Sequence, residues 1–294
     1  MNENVMSQLD AELEHAGEET ALSPQMLLLE QLRITPEKEL PKMEFLFQLY
    51  DKPCFPRREL VAITGKAKSG KTFVTSMLMA CCQSRDVLAF QRIGDDPLRL
   101  LWYDTEQSDE STQDILRNRV MRMVDGDGKL FDIFNVRGVA WKERRNLLCE
   151  AVRRCKPDLV IVDGIRDLVN DINDGVLAQE VMEELMHLAT AHDCCIVCVL
   201  HQNKSGEDHN LRGWIGTELM NKAFEVYSCE KLMPQRIFSL RETYGFSFLI
   251  ENQYVTGLPS GMGNDLETTL VPHSNSFCCA LKERYRGCKS INNF

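Results

Sequence analysis

The sequence predicts an α/β fold built on a mainly parallel, twisted central sheet. Three observations predict it. Short apolar runs alternate with segments of helical periodicity from about residue 41 to 250, a glycine-rich turn joins the first clear strand to the first helix, and later apolar strands end beside acidic residues. Strands separated by helices need crossover connections, which favour parallel pairing with helices on both faces.

The elements follow in order. LVAIT at 60–64 reads as a buried strand and residues 71–82 as a helix; LRLLWYD at 98–104 reads as a second strand. Ser108, followed by Asp109 and Glu110, makes an N-cap with acidic first-turn residues for a helix through Ile115, Leu116, Val120 and Met123. FDIFNV at 131–136 is a strand, and a helix over 141–155 aligns Trp141, Leu148, Ala151, Val152 and Cys155 on one face. DLVIVD at 158–163 is a strand, and a helix over 175–190 repeats Leu177, Val181, Leu185 and Leu188. IVCVL at 196–200 is the next strand, with further apolar runs near 224–229, 236–240 and 246–250.

The expected organisation is an acidic, flexible tail over 1–40, one large domain over 41–250 and an irregular tail over 251–294. Residues 1–31 carry seven acidic side chains and no Lys or Arg, which favours a solvated segment. Within it MLLLEQL at 26–32 is expected to form a short helix that docks on the body or on a partner. Residues 257–265, GLPSGMGND, mark the change to irregular chain.

With 34 Lys and Arg against 44 Asp and Glu the formal charge is −10, which argues against a protein that coats polyanions through a wholly basic surface. No basic and apolar leader opens the chain and no apolar run approaches membrane-spanning length, so a cytoplasmic protein with no membrane partner is expected. The twelve cysteines are spread along the chain, several inside apolar runs, and are expected to be reduced core thiols. Cys195 and Cys198 spell C-x-x-C, but on a strand that spacing points the thiols to opposite faces. The helix at 141–156 has a local charge of +4, which reads as a solvated face or, less readily, a nucleic-acid contact. DINDG at 171–175 does not continue as a calcium loop, because the twelfth position would be Met182.

Chemistry enters at Gly65-Lys66-Ala67-Lys68-Ser69-Gly70-Lys71-Thr72, which fits G-x-x-x-x-G-K-[ST] with a strand before and a helix after. The glycines let backbone N–H groups face phosphates, Lys71 supplies a charge to the β- and γ-phosphates, and the Thr72 hydroxyl suits Mg²⁺. ATP and Mg are therefore the expected cofactors. Asp163, after four apolar residues at a strand's carboxyl end, matches a Walker B acid that holds Mg²⁺; the plainer alternative is a loop start. Glu106, just past the strand that follows the P-loop helix, is placed to take a proton from a water in line with the γ-phosphate. The plainer alternative for Glu106 is a loop acid or a cap.

These motifs, followed by IVCVLHQNK and LRGWIGTELMNKAFEV, resemble the RecA-like ATPases of the RepA/RadA/KaiC branch, and most of all the hexameric RepA-type replicative helicases of plasmids and mobile elements. FPRRELVAITG also resembles that branch's approach to the P-loop strand, with Arg58 where a Gly is usual. The resemblance spans residues 41–245. It implies a RecA-like P-loop NTPase fold, Glu106 as catalytic base and His201, with Gln202, as γ-phosphate sensor. It also implies Arg212-Gly213 as the family's R-G motif, although Trp214 and Ile215 stand where two small residues are usual. Arg212, or else Lys231, Arg236 or Arg241, is the candidate cation offered to a neighbouring subunit's site. Single-stranded DNA or replication proteins are the implied partners, in a homo-oligomeric, hexameric ring. The competing expectations are a slow ATP-gated loader or switch and, disfavoured by Glu106, a small-molecule phosphotransferase.

Overall fold

The structure is a computed structural model that describes residues 23–202, 213–232, 237–242 and 247–251, with side chains through residue 230. These residues fall within one compact unit that ends at Glu251. Of the expected tails over 1–40 and 251–294, residues 1–22 and 252–294 lie outside the described residues, as do 203–212, 233–236 and 243–246.

The central sheet has the order β12-β11-β10-β3-β9-β8-β6-β7. Its strands are β3 (Leu60–Gly65), β6 (Leu100–Asp104), β7 (Phe131–Asn135), β8 (Leu159–Asp163), β9 (Cys195–His201), β10 (Glu225–Leu232), β11 (Ile237–Glu242) and β12 (Ser247–Glu251). The six from β10 to β7 are all parallel, and β11 and β12 add an antiparallel edge. This is the α/β architecture that the alternation predicts, and it agrees with the RecA-like P-loop fold that the resemblance implies. Strand runs such as LVAITG and LVIVD are buried along their whole length, as a sheet covered on both faces requires.

The two faces carry different helices. Val61, Ile63, Trp102, Ile161 and Val197 pack on one side with α2 (Lys71–Cys81). Leu60, Ala62, Tyr103, Val160 and Cys198 pack on the other with α4 (Trp141–Cys155), α5 (Gly175–His192) and α6 (Gly213–Lys222). Cys195 lies in the first set and Cys198 in the second, which is the opposed placement expected for C-x-x-C on a strand. No group of His, Cys, Asp or Glu among the described residues is arranged to hold a metal by itself.

A second sheet, of order β2-β1-β5-β4, was not legible in the sequence. Its strands are β1 (Phe45–Leu49), β2 (Lys52–Pro56), β4 (Asp86–Val87) and β5 (Phe90–Arg92). The β1–β2 hairpin turns on Tyr50 and Asp51 with φ 47° and 67°, a left-handed pair usually carried by Asn-Gly. Phe55 stacks on Tyr227 with centroids 5.2 Å apart and meets Phe47 and Phe90 edge-on, which joins this sheet to the main core.

Helix lengths differ from expectation in one place. The helix capped by Ser108, α3 (Asp109–Ile115), is α-helical for seven residues and continues as a π turn over Leu116–Val120. Helix α1 (Pro24–Leu32) forms where MLLLEQL predicts it, but every one of its residues is exposed, so it does not dock on the described body. Arg58 takes φ 65°, the left-handed region where glycine is comfortable, and its guanidinium reaches Asp193 at 2.6 Å while Arg57 reaches Asp158 at 2.7 Å. The basic face of α4 is partly neutralised: Arg145 pairs with Glu184, Arg153 with Glu150, and Arg144 bonds to the carbonyls of Val139, Asp167 and Arg137. That favours the solvated, structural reading of the helix over a nucleic-acid contact.

All nine described cysteines are free and buried, and burial pushes the thiols of Cys81, Cys194 and Cys198 up to about 12. Iodoacetamide at pH 8 is therefore expected to leave these nine unmodified in the folded protein and to alkylate them after denaturation, read by peptide mass. Prompt native labelling of Cys195 or Cys198 contradicts the sheet assignment.

Candidate functional site

The sheet's carboxyl edge gathers the candidate residues by register. Gly65 on β3 pairs with His201 on β9 and with Cys229 on β10, and Asp104 on β6 pairs with Asp163 on β8. Ligands in open α/β sheets bind at this edge.

The P-loop runs from Gly65 to the first turn of α2. Gly65 (φ 151°) has no room for a side chain, since a Cβ would lie 2.5 Å from the Cys229 carbonyl oxygen. Lys68 (φ 62°) and Gly70 (φ 102°) are left-handed, and Gly70 caps α2 without any side chain, leaving the helix's amino end open to an anion.

Lys71 is only 7% exposed, and its Nζ donates to the carbonyls of Gly65 and Lys66 and meets His201 Nδ1, each at 3.0 Å. An ammonium can only donate, so Nδ1 is the acceptor and the ring proton sits on Nε2. Nε2 faces Glu106 Oε2 at 3.5 Å. Lys71 at the start of α2, His201 at the end of β9 and Glu106 just past β6 thus form one polar chain. His201 beside Glu106 holds that carboxyl below its usual range against the opposing effect of burial, with further help from the Lys71 and Arg166 charges. Burial pulls the Lys71 ammonium down, while Cys229, Glu106 and Asp163 oppose the shift.

Asp163 is buried and pushed up to about 7, by burial first and then by the Asp104 and Glu106 carboxylates. Its Oδ2 and the P-loop Ser69 Oγ are buried without a hydrogen-bond partner. Oxygen-seeking Mg²⁺ at Asp163 and a phosphate at Ser69 are groups of the right chemistry for these two atoms, so the residues fit a magnesium nucleotide. Thr72, half-buried at the start of α2, is the other residue that could hold the metal.

A family model described as an AAA domain (AAA_25) matches residues 47–207, more than half of the chain. The chain belongs to this AAA-domain family of P-loop ATPases. No curated protein matches the chain.

Several residues of the AAA domain escaped the sequence reading. Thr105 Oγ1 bonds to the carbonyls of Asp163 and Gly164 and to Asp167, stitching the Glu106 turn to β8. Gly164 (φ 99°) is obligatory there, because a Cβ would lie 2.6 Å from Glu106 Cγ and closer still to Thr105 Oγ1. Arg166, half-exposed, adds positive charge near Glu106. Gln202 turns its amide to Ser228 at 2.9 Å and Thr64 at 3.4 Å, so it ties β3 to β10 and only His201 of the proposed sensor pair meets Lys71. Gly213 (φ 75°) packs where a Cβ would lie 2.6 Å from the Ile172 carbonyl oxygen, a physical reason for glycine at this position. Trp214 is half-exposed beside it and Ile215 is buried. Arg212 and Arg236, with the side chains of Lys231 and Arg241, lie outside the described residues.

Gly164→Ala is expected to lower the melting temperature and to slow ATP hydrolysis, since left-handed strain of roughly 1–3 kcal/mol adds to the displacement of Thr105 and Glu106. Thermal unfolding and a steady-state ATPase assay check it; wild-type values in both contradict the packing at this turn.

Proposed function

We propose that this P-loop ATPase is a Mg-dependent ATP hydrolase of the RecA/RepA type that acts on DNA, as a replicative helicase or helicase-like ATPase of a plasmid or mobile element. The observation that carries the hydrolase reading is the convergence of Lys71, His201 and Glu106 within 3.0 and 3.5 Å steps at the P-loop. The DNA role rests on the resemblance to RepA-type helicases in the motifs from Gly65 to Gly213.

In this reading Glu106, kept ionised, takes the proton of the attacking water on a carboxylate oxygen. Lys71 leaves its loop carbonyls for the β- and γ-phosphate oxygens, and His201 follows the change at Lys71 through Nδ1. Ser69 and the open end of α2 hold phosphate oxygens. Asp163 and Thr72 would hold Mg²⁺, which when bound neutralises charge on the β- and γ-oxygens. Arg212 completes a neighbouring subunit's site in a homo-oligomer, hexameric by the same resemblance; Lys231, Arg236 and Arg241 are the alternative cations. A cytoplasmic setting accords with the absence, among the described residues, of any helix long and apolar enough to cross a membrane. The alternative is a slow ATP-gated loader or switch, favoured by the exposed apolar helix α1, which suits a protein that presents itself to a partner.

ATP turnover with and without single-stranded DNA, with mass by light scattering, separates the two. DNA-stimulated hydrolysis by an oligomer, with strand displacement, supports the helicase; slow turnover indifferent to DNA supports the switch. Glu106→Gln is expected to bind ATP normally and hydrolyse it about 10²–10⁴-fold more slowly, because the amide cannot take the proton. A fall of less than about threefold makes Glu106 a loop acid rather than a base. Arg212→Ala is expected to bind ATP without hydrolysing it and to regain activity when mixed with Lys71→Ala subunits, since a trans Arg can contribute roughly 10³–10⁵ in rate. Normal basal turnover by Arg212→Ala rules out the trans role.

A further inference from the structure

Asp104 ends β6 as a buried carboxylate two residues before Glu106. Its Oδ1 accepts from the backbone N–H of Glu106 and of Gln107, each at 3.0 Å, and its Oδ2 meets the Thr112 hydroxyl at 2.6 Å. Asn135 on β7 donates to Thr112 Oγ1 at 2.8 Å and to the Gln107 carbonyl at 3.0 Å, closing the network around the same turn. Asp104's own carbonyl accepts from Val136 N–H at 2.8 Å, so the residue is fixed to β7 as well. On the other side Thr105 bonds to β8, leaving Glu106 as the one side chain of this turn that projects toward Lys71 and His201.

Such an arrangement has an electrostatic cost. Burial raises the Asp104 carboxyl, and its position beside Asp163 and Glu106 places three acids together at one strand edge. An apolar residue at the end of β6 avoids that repulsion but leaves two turn N–H groups without an acceptor. We infer that Asp104 is a positioning residue: its carboxylate holds the backbone of Glu106 and so aims the base at the γ-phosphate side of the P-loop. This inference rests on Glu106 being the base. What Asp104 supplies is hydrogen-bond acceptance at Oδ1, so an asparagine can replace it. The amide oxygen keeps both N–H groups, the amide nitrogen donates to Thr112 Oγ1, and the Thr112 hydroxyl turns to the Ser108 carbonyl, already 3.1 Å away.

The test measures kcat, KM and binding of a fluorescent ATP analogue, with thermal unfolding, for Asp104→Ala, Asp104→Asn, Thr112→Val and Glu106→Gln. Asp104→Ala is expected to lose about 10–100-fold in kcat with ATP binding unchanged, because displacing a reacting group by about 1 Å costs on that order. Asp104→Asn is expected to stay within roughly threefold of wild type, and Thr112→Val to lose roughly three- to tenfold in kcat alone. Should Asp104→Ala fail to fold, the Asn and Val variants decide the matter. Wild-type kcat in Asp104→Ala or Thr112→Val overturns the inference, as does equal loss of kcat and nucleotide binding in a folded variant. Asp104→Asn as inactive as the alanine also overturns it, since charge and not acceptance is then what the site uses. Normal turnover by Glu106→Gln fails the base reading itself; slow Glu106→Gln with normal Asp104→Ala fails only the positioning role.

Discussion

An almost fully buried ammonium is costly unless each of its protons has an acceptor, and Lys71 meets that demand with two P-loop carbonyls and His201. Much of the site follows from this. The carbonyls are available because Gly65, Lys68 and Gly70 adopt backbone conformations that bend the loop over the lysine. His201 is available because β9 pairs with β3 in the register that sets it opposite Gly65. Its tautomer, dictated by the lysine, then directs a ring N–H at Glu106.

Register is the second constraint. A one-residue slip of β8 against β6 would move Asp163 out of line with Asp104 and turn its side chain to the other face. Burial of the sheet on both faces prevents the slip, because Val160 and Val162 pack with α5 while Ile161 packs with the α2 side. The antiparallel sheet with Phe47, Phe55 and Phe90 completes the cover over that side and reaches β10 through Tyr227. Packing far from the P-loop therefore sets the relative heights of Asp163, Glu106 and Lys71.

Repulsion among carboxylates is managed by unequal surroundings. Asp104 is bonded on both oxygens, Glu106 lies beside His201, and Asp163 keeps an unpartnered oxygen and the strongest upward shift. The three acids stand within one strand edge, and under the proposed function their unlike surroundings assign them different tasks: fixing a turn, accepting a proton and meeting a cation.

The sequence by itself determined the α/β class, the P-loop, the strand ends at Asp163 and near Glu106, and the faces of the long helices. These are local signals: hydrophobic period, glycine spacing, and an acid closing an apolar run. It did not reveal the second sheet, whose strands are short and whose hairpin turns on Tyr50-Asp51 instead of a glycine-bearing pair. It did not reveal Asp104, whose partners Thr112 and Asn135 come from other elements, or the need for Gly164, which exists only because Glu106 and Thr105 pack against it. Nor could it separate His201 from Gln202: at the end of β9 His201 meets Lys71, while Gln202, the next residue, turns to Ser228 on β10. Period and spacing belong to the chain alone, but which acceptor meets which donor is decided by strand register, and register is fixed only when both faces of the sheet are packed.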